Sequence, residues 1–491
     1  MPAWKRLLVR FALLVLILVA SNEVALTQSS PASPEYPWRY SAGQQPRDMG
    51  GLPKSTSFLD AAKTYSLPEL IDLAEAHNPE TRAAWELARA GAAAWGVARS
   101  ELFPTLTVLA ISQTVRREAF FGSQFTPQTI QAFDATLALS YTVFDFGARA
   151  GRIDAAKAHA LGTNFAFNDA HRRVILSVER AYFDLLNAQG QEDAARASLA
   201  NSKAVQQAAE DRLKQGLATL PDVLEARSAT ARADFDLQTT LGAERLAHGN
   251  LATAIGVSPT TEIHAEPLSA FQIPESLDQT VQQAIDRGFR QRPDLLEDLA
   301  DIQAGDAKVK QARAQFYPSL TVSATPTTQS VFGFQQGYHT GHVSDLAGQV
   351  NLTLGWTAFD GGARKSGLAE AEAAVHATQA RAEALHDRIA NEIWAAYANF
   401  ETAIGQRRAA AAFLEAASES YTAAIQSYDY GVRTLLDVTN AQLVLAQARL
   451  ADVVARTQVL TTLSDLAYAA GDSIQPGGQR GGQSGTGGQR R

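Results

Sequence analysis

Residues 103–108 read Phe-Pro-Thr-Leu-Thr-Val, and residues 317–322 read Tyr-Pro-Ser-Leu-Thr-Val. The two stretches stand 214 positions apart, as do Asn78-Pro79 and Arg292-Pro293. Further on the spacing becomes 215. Phe144-Asp145-Phe146-Gly147-Ala148-Arg149 returns as Phe359-Asp360-Gly361-Gly362-Ala363-Arg364, and Ala181-Tyr182 returns as Ala396-Tyr397. Gly216, Leu220, Asp222 and Val223 return as Gly431, Leu435, Asp437 and Val438, and Gly256 as Gly471. One single-residue slip, then a constant offset from Phe144 to Gly256, means that one structural unit is written twice.

Each copy has the same order. A helical stretch (68–102, then 277–316) ends before Pro104 or Pro318, because proline cannot continue a helix. Two strand-like segments follow. In the second, Phe133, Ala135, Leu137, Leu139, Tyr141 and Val143 alternate with Asp134, Thr136, Ala138, Ser140 and Thr142. In the fourth, Val350, Leu352, Leu354 and Trp356 alternate with Gln349, Asn351, Thr353 and Gly355. The first and third read as shorter and less regular. Alternation of apolar and small polar residues suits a barrel wall between lipid and water. A half-buried soluble hairpin shows the same period.

A very long helical stretch comes next. Residues 147–215 and 362–430 hold almost no helix breakers, so each predicts a rod of roughly 100 Å at 1.5 Å per residue. Each is interrupted near Gly216 or Gly431 and runs on to Gly256 or Gly471. On the return helix Leu436, Leu443 and Leu450 recur every seven residues, beside Thr439, Ala446, Val453 and Leu460, a coiled-coil seam.

The flanks carry different signals. Lys5, Arg6 and Arg10 precede the apolar run 11–20, the pattern of an export signal, assigned to residues 1–25. Residues 26–66 are rich in Ser, Pro and Gly and read as a flexible linker. Residues 67–256 and 277–471 are the two repeats, joined by 257–276. Residues 472–491 form a Gly/Gln/Arg tail unable to bury a core. Beyond the N-terminal run, no apolar stretch is long enough for a transmembrane helix. The 491 residues include no cysteine, which excludes disulfides, thiolate metal sites and a lipid-bearing N-terminal cysteine. A net charge of -8 argues against nucleic acid as a partner.

Four strands cannot close a barrel, since the smallest membrane barrels use about eight. An open sheet in lipid would leave edge backbone groups unsatisfied. Strands in a membrane must therefore be shared among several chains, arranged cyclically so that the ring closes.

At this point the sequence resembles the TolC family of outer-membrane factors over about residues 67–471. The stretches 212–226 (RLKQGLATLPDVLEA) and 428–441 (YDYGVRTLLDVTNA) resemble the family's helix-turn-helix tips, and FDFGAR and FDGGAR its strand-to-helix junctions. The resemblance implies an α+β membrane protein. A homotrimer would contribute four strands per chain to a twelve-stranded β-barrel in outer-membrane lipid, above an α-helical periplasmic tunnel of coiled-coil helices. It implies a passive exit duct of a tripartite efflux or type I secretion system, needing no cofactor, with a periplasmic adaptor and an inner-membrane transporter as partners. The tips Gly216, Leu217, Ala218, Thr219 and Gly431, Val432, Arg433, Thr434 would dock the adaptor. For a gate it implies that Arg433 and Tyr428 on one helix pair bond Asp222 on its neighbour, and that Asp437 lines the opening. Pro221 stands where the family often has a hydrogen-bonding residue, and Asn440 replaces a second aspartate, so the ring carries less charge.

Other motifs carry less. Asp145-Phe146-Gly147 spells a kinase triplet without its companions and is better read as a strand end with a helix cap. His339 and His342, in the loop between the third and fourth strands, have no acidic or thiol partner nearby. Trp85, Trp95, Trp356 and Trp394 read as packing aromatics. No nucleophile–base pair has supporting context, so no enzyme is expected. Two rivals are a periplasmic coiled-coil adaptor or scaffold, which should show one helical hairpin between small β-domains, and a secreted envelope enzyme.

Overall fold

The computed structural model describes residues 58–472 except 61, 122–123, 278 and 336–337, and side chains outside 119–124 and 335–340. The expected export signal, most of the linker and all but the first residue of the tail lie outside that range. Each expected leading helix is two helices: α1 (Leu67–His77) with α2 (Pro79–Ser100), and α5 (Val281–Gln291) with α6 (Pro293–Ala314). The break falls at Asn78 and Arg292 because proline follows, and the residue before proline is pushed out of the α region. Their ψ angles are 130° and 120°. The two caps do matching work. Asn78 Nδ2 donates to the Ala254 carbonyl at 2.9 Å, and Arg292 donates to the Ala469 carbonyl, 215 positions on, at 3.3 Å.

The strands are β2 (Thr105–Phe121), β3 (Gln124–Phe144), β5 (Ser319–Gln335) and β6 (Tyr338–Gly355), in one antiparallel sheet ordered β2-β3-β5-β6. The first and third are not short: each has 17 residues, against 21 and 18 for their partners. Their weak alternation hid their length. Register supplies what alternation lacked. Leu106 faces Leu139 and Val108 faces Leu137, while Leu320 faces Leu354 and Val322 faces Leu352. Side chains of directly paired residues share a face, so near the helices one face of the sheet gathers Leu106, Val108, Leu137, Leu139, Leu320, Val322, Leu352 and Leu354. The other carries Thr107, Thr136, Ser140, Ser323, Thr327, Asn351 and Thr353. His339 and His342 lie on β6 rather than in a loop, and the His342 ring stacks on Phe332 at 4.3 Å.

At the strand-to-helix junctions the aspartates act as caps. Asp145 accepts from the Gly147 and Arg149 amides at 3.3 and 2.7 Å, and Asp360 from those of Gly362 and Arg364 at 3.0 and 3.1 Å. The kinase-like triplet is therefore a helix start. The long helices are α3 (Ala148–Lys214), α4 (Leu220–Ile255), α7 (Ala363–Asp429) and α8 (Leu435–Ala470). Both repeats give 67 residues out and 36 back.

Two apolar cores hold the layer between sheet and tips. One joins α1, the middle of α3 and the end of α4 around Leu67, Leu70, Tyr182, Leu185 and Leu251, and the other joins α5, α7 and α8 around Ile389, Ile393, Phe400 and Leu466. The last residues of the expected linker belong to the first core. Tyr65 is buried, and Phe58 stacks on His77 at 3.9 Å. Short parallel strands β1 (Thr64–Tyr65) and β4 (His264–Ala265) tie this approach to the inter-repeat connection.

Candidate functional site: the two helix-reversal tips

Between α3 and α4, and again between α7 and α8, the chain reverses in five residues. The first reversal closes with Leu217 N–H on the Arg212 carbonyl (2.9 Å) and Gly216 N–H on that of Leu213 (3.0 Å). The second repeats it, with Val432 on Ser427 (2.8 Å) and Gly431 on Tyr428 (3.0 Å). This paired closure needs a left-handed residue after the helix. Gly216 and Gly431 supply it at φ +74° and +75°. A Cβ at either would meet nothing within 4 Å, so backbone conformation and not crowding demands glycine.

The return helices restart on matching caps. The Thr219 amide and hydroxyl donate to Asp222 Oδ2 at 2.8 and 2.7 Å. Those of Thr434 donate to Asp437 Oδ2 at 3.0 and 2.8 Å. The bonds from the Thr219 hydroxyl and amide hold the Asp222 carboxyl below its ordinary range. The Thr434 amide and hydroxyl do the same for Asp437, with attraction from Arg433 adding to them. Both carboxylates therefore stay charged at neutral pH.

Beneath the tips all four long helices share one small core of Val205, Ala209, Val223, Ala226, Ala424, Leu435 and Val438, against which Tyr428 packs. Beyond it the apolar residues turn outward. In this type of helix end the residue after the glycine commonly packs back on the helix. Here Leu217 is 72% exposed and Val432 78%, and Tyr430, Leu220 and Leu436 are exposed beside them. Ala218 is half-buried, and Thr219, Arg433 and Thr434 are exposed. The tips thus present apolar side chains on a rigid, twice-capped frame.

The expected gate residues divide between the reversals, Asp222 on the first and Tyr428, Arg433 and Asp437 on the second. Among the described residues no hydrogen bond or ion pair within the chain joins Asp222 to Tyr428 or Arg433. The residue that does link the reversals is one the sequence reading left without a role. Arg212 donates to the carbonyls of Tyr428 (3.0 Å) and Asp429 (3.1 Å), and its guanidinium lies 4.2 Å from the Tyr428 ring centre. Its signal was available: it heads the first tip motif, yet its repeat counterpart is Ser427. Farther up, Thr439 donates to Glu225 at 3.1 Å, and Gln442 bonds Ser202, joining the second hairpin to the first.

Among the described residues there is no group of three or more His, Cys, Asp or Glu placed to hold a metal ion. No described helix is long and apolar enough to cross a membrane. Two hairpins and a four-stranded sheet also differ from the single hairpin expected of an adaptor.

Comparison with known proteins agrees with this geometry. The family model for outer membrane efflux proteins matches residues 70–257 and 284–472, once per repeat. Protein CyaE of Bordetella pertussis is 27% identical over 84% of this chain and 85% of its own length. Outer membrane protein OprJ of Pseudomonas aeruginosa is 25% identical over 95% and 96%. A solved membrane protein from Pseudomonas aeruginosa superposes with a TM-score of 0.74 over 87% of this chain and 99% of that one, at 23% identity. The outer membrane protein VceC from Vibrio cholerae gives 0.70 over 83% and 96%, at 21% identity. The chain is an exit channel of the outer membrane, and it belongs to the outer membrane efflux protein family.

Proposed function

We propose that three copies of this chain build one duct, that the duct performs no chemistry of its own, and that its tips dock a periplasmic adaptor serving an inner-membrane transporter. Four strands per chain leave β2 and β6 as unpaired sheet edges. In lipid such edges are too costly to persist, and three copies supply twelve strands to a closed barrel. The apolar face gathered by strand register then meets lipid, and the small polar face meets the water-filled lumen. The long helices continue the lumen through the periplasm.

The observation that carries the docking role is the pairing of a stiff turn with exposed apolar tips. Leu217 and Val432 project from equivalent frames, and each is free to enter an apolar socket on a partner. The gate rests on the same place. Arg433 and Tyr428 of one hairpin bond the Asp222 carboxylate of an adjacent one, and the three Asp437 carboxylates ring the opening.

Leu217→Glu combined with Val432→Glu tests docking without straining the backbone. Export should fail while the trimer forms normally on native gels. A bulky residue at Gly216 or Gly431 should act likewise. Normal export by the double glutamate variant would remove the tips from the docking surface.

A further inference from the structure

Between the two hairpins, α3 and α4 of the first and α8 of the second surround a cavity of about 230 Å³. It lies farther from the tips than the core around Val205 and Val223. We infer that it binds a small zwitterion, a molecule of amino-acid size carrying one carboxylate and one ammonium group. All of its walls come from one chain, so the site stands apart from the docking and gate readings.

The polar wall is peculiar to the first repeat. Ser198, Ser202 and Ser228 line the cavity. Their counterparts 215 positions on are Phe413, Ala417 and Leu443. There Ala417 packs into an apolar cluster with Leu445 and Ala448, against Leu414 and Tyr421. One hairpin thus closes on side-chain carbon at this level, and the other leaves a space lined by hydroxyls.

Two features define the occupant. The first is an unmet acceptor. Gln442 is 5% exposed and lines the cavity. Its amide nitrogen donates to the Ser198 carbonyl at 3.3 Å and to the Ser202 hydroxyl. Its Oε1 is enclosed and has no partner. An enclosed acceptor left unpaired is costly, so it calls for a donor. The second feature is charge. Arg232 and Asp236 both line the cavity, four residues apart on one face of α4. Among the described residues neither makes an ion pair or a side-chain hydrogen bond. A free guanidinium matches a carboxylate with two parallel N–H donors. Asp236 and the Gln442 oxygen accept from an ammonium, and Glu225, which already takes the Thr439 hydroxyl at 3.1 Å, adds charge of the same sign. An ion of either sign alone would leave half of this wall unmatched. Size agrees. The cavity is several times the roughly 30 Å³ of one water and smaller than the roughly 300–1,000 Å³ of pockets for drug-sized ligands. An occupant ties the first hairpin to the second beside the Thr439–Glu225 and Gln442–Ser202 bonds.

L-alanine is the probe, with propionate and ethylammonium as its single-charge halves. Calorimetric titration of the full-length protein in detergent should show saturable binding of L-alanine. Each half should bind about tenfold more weakly or worse, because it gives up the charge-assisted bonds of the missing group. Arg232→Gln and Asp236→Asn should each weaken L-alanine by a similar factor. Ser228→Leu puts into the first repeat the residue that the second carries, and should abolish binding while assembly on native gels is unchanged. L-alanine should also raise the melting temperature of the parent protein and leave that of Ser228→Leu where it was. No saturation of the parent by L-alanine, or equal affinity after Arg232→Gln or Ser228→Leu, would overturn the site. A half that binds as tightly as L-alanine would overturn the ligand class.

Discussion

The guanidinium of Arg212, in the last turn of α3, sits over the ring of Tyr428, in the last turn of α7, and donates to that residue's own carbonyl. One arginine thus fixes the first hairpin against Tyr428 of the second. It is a quarter exposed, and it also lies 3.5 Å from the Asp429 carboxylate. Arg212→Ala should loosen the tip by roughly 2 kcal/mol per chain, the scale of a charged hydrogen bond with a partly screened cation–π contact. Single-channel conductance in planar bilayers should rise while the trimer stays intact. Unchanged conductance would reduce Arg212 to a packing residue.

Arg433 and Asp222 carry the proposed gate bond between adjacent hairpins. As an open surface pair it would contribute about 0–1 kcal/mol. With less water around it, a charge-assisted bond contributes about 1.5–3 kcal/mol. Arg433→Glu combined with Tyr428→Phe should raise conductance, because attraction becomes repulsion and one further donor is lost. Asp437→Asn keeps an acceptor for the Thr434 cap but removes the ring of charge, so block by multivalent cations should weaken. If the double variant conducts as the parent does, closure is located elsewhere.

Glu179 on α3 is 3% exposed and faces Ser464 on α8. Burial pushes its carboxyl up from 4.5 to about 7, the Ser464 hydroxyl opposes the shift, and Asp465 adds to it. Because the folded-state value is raised, the folded chain holds the proton more tightly than the unfolded one. Stability is full below about pH 4.5 and falls as pH rises to about 7, by about 3 kcal/mol at most. Glu179→Gln should therefore raise the melting temperature at pH 8 and change little at pH 5. An equal effect at both pH values would show that burial of this charge is not the cause.

Arg292 is 5% exposed, donates to Asp294 at 2.6 Å and to Glu392 at 2.7 Å, and caps the Ala469 carbonyl. Its own charged form is strongly favoured by those two carboxylates despite burial. Arg292→Met should cost about 3 kcal/mol, because it leaves a half-buried Asp294 and a helix-end carbonyl without their partner. The loss should appear as lower trimer yield and a lower melting temperature. The equivalent Asn78→Ala should cost less, since Asn78 is neutral and serves only the carbonyl and its own helix start.

The sequence by itself determined the duplication, the strand–long helix–reversal order and the need for glycine at the tips. These are local or periodic properties: an offset of 215, alternation across β3, and Gly216 and Gly431 each followed by threonine and aspartate at capping distance. It did not reveal the helix break at Asn78, although Pro79 was in plain view, because α1 and α2 carry continuous helical composition on both sides. It understated β2 and β5, whose pairing partners and not their own alternation make them strands. Arg212 over Tyr428 was beyond its reach for a plainer reason. The two residues are 216 apart in the chain, and only the packing of four helices around Val205, Val223, Leu435 and Val438 brings their helix ends together. Whether Leu217 and Val432 turn inward or outward was likewise a tertiary decision, made where that core ends beside the reversals, at Leu213, Tyr428 and Leu435.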